Sequence, residues 1–133
     1  MKVEFQADSL NSTRMRSLTA RDYDDLAFGV IELDHEFRVR TYNSSESKLA
    51  QRAPDKTIGR HFFREVAPCT DVGDFRGRIE ALMAEGVAVD TEARFDYEFA
   101  FPWGRRRVRI RALRGDTGCW VFVTPLQSFD RNA

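Results

Sequence analysis

Phe95-Asp96-Tyr97-Glu98-Phe99-Ala100-Phe101, then Pro102-Trp103-Gly104, then Arg107-Val108-Arg109-Ile110-Arg111-Ala112, is the stretch from which the architecture can be worked out. A period of two runs through both flanks. Successive side chains of an extended chain point to opposite faces, so each flank reads as a strand with one apolar and one polar side. Pro-Trp-Gly between them reads as a turn, which makes the pair an antiparallel hairpin. Gly115-Asp116-Thr117-Gly118 is a second turn, and Cys119 to Val123 a last strand. Arg107, Arg109 and Arg111 read as the solvent face of their strand, because a stripe that binds nucleic acid needs exposed aromatics between the cations.

Upstream, Leu26 to Leu33 carries strand formers at Phe28, Val30, Ile31 and Leu33. Asp34-His35 is a turn, and Phe37 to Arg40 alternates again. After Tyr42 the composition changes: Asn43 to Lys48 is polar and rich in helix caps, and Pro54 must end that helix. Pro54 to Gly59 reads as one helical turn. Asp74 is expected to cap a longer helix carrying Phe75, Ile79, Leu82 and Met83, with Gly86 as its left-handed stop. In residues 1–25 apolar positions are sparse, and Thr19 followed by Asp22 resembles a capping signal, so this segment is expected to be a helical cap. Residues 26–123 are then the core, and 124–133 a tail or a linker to a further domain. The fold class is α+β: a five-stranded antiparallel sheet with short helices on one face.

Composition limits the function. The chain has 133 residues with 21 Lys+Arg against 21 Asp+Glu, a net charge of zero that argues against direct nucleic-acid binding. No window approaches the roughly 20 apolar residues that span a bilayer, and the N-terminus has no signal-peptide core, so a cytoplasmic protein is expected. The 2 Cys, at 69 and 119, match neither a disulfide framework nor a zinc site. The 11 Phe against 3 Tyr and 2 Trp point to a core rich in Phe.

Cys69, in Ala67-Pro68-Cys69-Thr70-Asp71, reads as lying just before a helix, where unpaired N–H groups raise thiol reactivity. A small buried side chain is the alternative. A cysteine hydrolase is disfavoured, since His61 is the only base nearby. Tyr42 ends a strand and Glu46 sits one helical turn on, so the two can share a space. Singly, Tyr42, Glu46 and Arg52 read as surface or half-buried residues.

Together they are more specific. Leu26-Ala27-Phe28-Gly29, Tyr42-Asn43, Glu46, Arg52, Ile58-Gly59, Phe62-Phe63, Val66-Ala67-Pro68-Cys69-Thr70-Asp71, Phe95-Asp96-Tyr97 and Trp120 to Val123 resemble the photoactive yellow protein family, blue-light receptors of the PAS superfamily. The resemblance implies a PAS-like sheet and a covalent cofactor, p-coumaric (4-hydroxycinnamic) acid, held as a thioester on Cys69. It further implies that Tyr42 and Glu46 donate hydrogen bonds to a buried phenolate and that Arg52 closes the pocket. Phe62, Val66, Ala67, Thr70, Phe95 and Tyr97 would line it. Light would isomerise the cofactor, Glu46 would lose its proton, and the N-terminal cap would loosen. The receptor would be no enzyme, would not enter membranes, and would signal to an unidentified protein or attached domain.

Two residues depart from the pattern. Ala50 stands where relatives often carry a Thr that supports Tyr42. Phe99, Ala100 and Phe101 stand where well-known members carry a Met that speeds dark recovery, so slower recovery is expected. A PAS interaction domain without the cofactor is the alternative reading, and a thiol enzyme a third.

Overall fold

The alternation at 95–101 forms β3 (Glu92–Phe101), paired with β4 (Gly104–Arg114), in a computed structural model that describes residues 7–126. Phe101 faces Gly104 across the ladder, which leaves Pro102 and Trp103 as the turn. β5 (Gly118–Pro125) pairs with β4 on one side and β1 (Gly29–Asp34) on the other, and β2 (Val39–Tyr42) forms the far edge. The order is β2-β1-β5-β4-β3, antiparallel throughout. Central β5 is buried on both faces, with Cys119, Val121 and Val123 on one and Trp120 and Phe122 on the other.

The last strand runs past the expected Val123. Thr124 and Pro125 belong to β5, and the Leu126 N–H donates to the Arg107 carbonyl at 3.0 Å. The remaining tail, 127–133, and Phe5 lie outside the described residues.

One face of the sheet carries the short helices. Asn43 caps α3 (Ser44–Ala50), and Gln51, left-handed at φ 54°, ends it. Pro54–Lys56 is a 3-10 turn, as Pro at the start of a helical turn favours. Phe62–Val66 is a π turn, and Pro68–Thr70 a second 3-10 turn. The longer helix expected after Asp74 differs from its sequence reading. Gly73–Gly77 is a π turn entered from Val72, without a side-chain cap. Only Arg78–Leu82, α4, is α-helical. Gly73 and Gly77 flank Phe75, and glycine's low helix propensity leaves burial of that ring to set the local winding. Phe62, Phe63, Phe75 and Phe99 are buried together, with ring centroids 5.2 Å (Phe62–Phe63) and 6.0 Å (Phe75–Phe99) apart, which is the Phe-rich core.

The N-terminal cap covers the opposite face. α1 (Ser12–Ser17) and α2 (Ala20–Asp24) are short, and Thr19 with Asp22 forms the capping box the sequence suggested. Leu10 and Met15 pack on Phe28, Val30, Leu113, Trp120 and Phe122. Arg111 departs from the solvent-face reading: it is buried under the cap, its guanidinium donating to the carbonyls of Ala7 (2.8 Å) and Leu10 (2.6 Å) and to Glu92 (2.7 Å). Among the described residues, no helix is long and apolar enough to cross a membrane.

Candidate functional site

On the helical face, between α3, the 62–69 segment and the turn end of β3, lies a cavity of about 560 Å³. Tyr42, Glu46, Arg52, Phe62, Val66, Ala67 and Cys69, seven residues singled out from sequence, all line it. Each arrives by a local rule. Tyr42 is the last residue of β2. The Asn43 side chain accepts from the Val30 N–H (2.8 Å) and the Glu46 N–H (3.1 Å), so it both caps α3 and turns Glu46 inward. Pro68 opens the turn that presents Cys69, and the Tyr97 hydroxyl fixes this turn by donating to the Cys69 carbonyl at 2.5 Å.

Glu46 is the chemically unusual member. Only 2% of its surface is exposed, and its Oε1 is buried without a hydrogen-bond partner. Burial pushes its carboxyl up to about 8, so it carries a proton at neutral pH and is a donor. Gly29 makes the room: a Cβ there would sit 2.1 Å from Glu46 Oε1. Tyr42 is buried as well, and desolvation, with Glu46 adding to it and Arg52 opposing, holds its phenol above the ordinary tyrosine value. Two neutral O–H donors on an apolar cavity that also holds a thiol suit a group with a buried anionic oxygen at one end and an acyl carbon at the other. The cysteines are not equivalent: Cys69 is partly exposed, whereas Cys119 is buried and its thiol is pushed up to about 12.

Three expected wall residues do not line the cavity. Thr70 is buried and donates to the Ala67 carbonyl at 2.6 Å. Phe95 and Tyr97 pack on Phe75, with centroids 5.3 and 5.1 Å away, and support the wall from behind. Further along the same inward row of β3, Phe99 and Phe101 reach the cavity, joined by Trp103 of the turn. The alternation marks all four aromatic residues as inward. Which of them meet the cavity depends on how far the strand extends past α3, which a period of two does not encode. Arg52 lines the cavity, yet its donors go to Thr57 Oγ1 (3.0 Å) and the Lys56 carbonyl (3.1 Å).

The PAS-fold family model matches residues 23–126. A photoactive yellow protein of Rhodothalassium salexigens is 36% identical, the match covering 91% of this chain and 95% of that protein. The chain belongs to the photoactive yellow protein family. A second photoactive yellow protein, of Halochromatium salexigens, is 32% identical over 93% of this chain and 98% of its own. Among solved structures, the photoactive yellow protein domain of the sensor histidine kinase Ppr of Rhodospirillum centenum superposes with a TM-score of 0.77 at 35% identity, covering 84% of this chain and 97% of that domain. Family membership accounts for the fold and for the sheet order together with the cavity on its helical face.

Proposed function

We propose that this chain is a blue-light receptor in which Cys69 carries p-coumaric acid as a thioester, with Tyr42 and Glu46 holding its phenolate. The observation that carries the reading is Glu46: a fully buried, protonated carboxyl whose Oε1 lacks a partner, on the same cavity as Tyr42 and Cys69. Phe62, Phe99 and Phe101 supply flat apolar walls that exclude water, so each charge-assisted hydrogen bond inside is stronger than it would be in solvent. The bound group would supply the absorption of blue light and a trans-to-cis isomerisation.

The chain's own residues supply the response. In the dark, Glu46 holds its proton because burial opposes ionisation. Once isomerisation withdraws the oxygen that Glu46 and Tyr42 hold, Glu46 releases that proton into the cavity and a carboxylate remains with Oε1 unpaired. An uncompensated buried charge costs several kcal/mol, a large fraction of a folding free energy of about 5–15 kcal/mol. Asn43, which holds the Glu46 N–H, also donates to the Tyr23 carbonyl of α2 at 2.8 Å, so strain at Glu46 reaches the cap. Detachment of the cap is the signal, read by a separate protein or by a domain joined to the chain, as in the kinase relative. On this reading residues 1–25 are the moving part, 26–123 the receptor core and 124–133 the link onward.

Illumination of pigmented protein tests the switch. In Glu46→Gln the amide keeps a donor but has no transferable proton, so cap release, followed by amide exchange in α1 and α2, should be much reduced. Cap release equal to the parent's would overturn the proton step.

A further inference from the structure

The turn between β3 and β4 does more than reverse the chain. The Trp103 indole N–H donates to the Ala50 carbonyl at 3.2 Å, the last carbonyl of α3. The final carbonyls of a helix have no partner within it, so this bond satisfies an acceptor that the helix cannot satisfy itself. The indole also stacks on Phe101 (centroids 5.1 Å apart, planes 8° from parallel), and the Arg106 guanidinium lies over it at 4.6 Å. Phe101 in turn packs on Phe99 at 5.2 Å. An aromatic ladder thus climbs the inward side of β3 and ends in a ring fastened to the opposite wall of the cavity. At about 3.3 Å per residue, Phe101 stands roughly 13 Å along the strand from Tyr97, whose hydroxyl marks the position of Cys69. The cavity therefore runs from the Cys69 thiol at one end to the Trp103 ring at the other. Arg52, the expected closing residue, is turned to Thr57 and Lys56.

We infer that Trp103 is the cover of this cavity, and that lifting the hairpin tip off α3 is the step that admits an aromatic acyl group to Cys69. This rests on the proposed function for the identity of that group, though not for the cover itself. Opening breaks the bond to Ala50 and swings the ladder's outer rings away, while the inner ladder, held by Phe75 against Phe99, stays in place. Trp103 is a positioning and admission residue: it bonds to backbone and rings, and holds no atom of the thioester.

The test uses the unpigmented chain and two thiol reagents, iodoacetamide as the small probe and N-(1-pyrenyl)maleimide as the bulky planar one, with mass spectrometry separating Cys69 from Cys119. The bulky probe should label only through the open form, so its rate follows the opening equilibrium. Trp103→Phe keeps a ring but loses the N–H, and should speed pyrenylmaleimide labelling of Cys69 about fivefold, as expected for one net hydrogen bond. Trp103→Ala also loses the stacking and should speed it about thirtyfold. Iodoacetamide should gain no more than about twofold in either, so that the ratio of the two rates carries the gating. An unchanged ratio in both variants would overturn the inference, as would Cys119 labelling that accelerates in step with Cys69, which marks general unfolding. If Trp103→Ala does not fold, the Trp103→Phe ratio decides alone. These reagents need no pigment: a chain that never takes up p-coumaric acid can still show the gate, and a chain that does can lack it.

Discussion

Glu46 is where one residue decides the chemistry, and its pH dependence follows from its burial. The carboxyl titrates near 4.5 when unfolded and about 8 when folded. Between those values the folded chain holds a proton that the unfolded chain has released, so stability must fall as pH rises across the window. The full contribution is present below the unfolded value and is lost once pH has passed the folded one. Urea unfolding of the unpigmented parent should lose up to about 1.4 kcal/mol per pH unit relative to Glu46→Gln within that window. A parallel pair of curves would show Glu46 ionised in the dark protein. Gly29→Ala tests the same space sterically: its Cβ would meet Glu46 Oε1, and the crowding should cost about 1–3 kcal/mol, measured by thermal unfolding. In a Glu46→Ala background the cost should largely vanish, because the two positions compete for one volume. The sequence shows Tyr42, Glu46 and Cys69 as residues but does not show this burial. Glu46 sits in the polar run Ser44 to Lys48, and what draws it inward is a glycine on another element.

At the scale of elements, two side chains join what the chain separates. Asn43 accepts from β1 and α3 and donates to the carbonyls of Tyr23 (2.8 Å) and Phe28 (3.1 Å), so Asn43→Ala forfeits a helix cap and two tertiary bonds together. A loss of about 2–4 kcal/mol in urea unfolding is expected, with amide exchange rising first in α2. Arg111 pins the start of the cap. Arg111→Met keeps much of the packing on Phe122 but loses the bonds to the Ala7 and Leu10 carbonyls, so protection in α1 should fall with the sheet unaffected. Sheet-wide exposure would mean that Arg111 holds the core instead. Both hairpins, α3 and the capping box at Thr19 could be read in the sequence, because alternation and caps are local. The segment after Asp74 could not: Gly73 and Gly77 weaken the helical signal, and burial of Phe75, a tertiary effect, sets a π turn. The same limit placed Phe95 and Tyr97 on the cavity where Phe99 and Phe101 stand, since spacing tells which face a side chain takes and not what covers that face. Arg111 was misread because the cap that buries it comes from the other end of the chain.

Over the whole molecule, the sheet separates sensing from release. The cavity lies on one face and the cap on the other, and Asn43, at the edge near β1, touches both. Balanced charge gives neither face a general pull on nucleic acid, so the output is expected to pass through the cap's own uncovered surface, where Phe28, Trp120 and Phe122 would be bared. The two thiols divide in the same way, Cys119 buried in the inner core and Cys69 on the cavity. The most direct test supplies the unpigmented chain with chemically activated p-coumaric acid and follows peptide mass together with the visible spectrum. The expected result is one p-coumaroyl group on Cys69 and none on Cys119, a new absorption band in the blue that bleaches under blue light and returns in the dark, and no band in Cys69→Ser. A chain that gains no mass on Cys69, or gains it without a reversible blue band, would contradict the receptor reading and leave a PAS domain with another ligand.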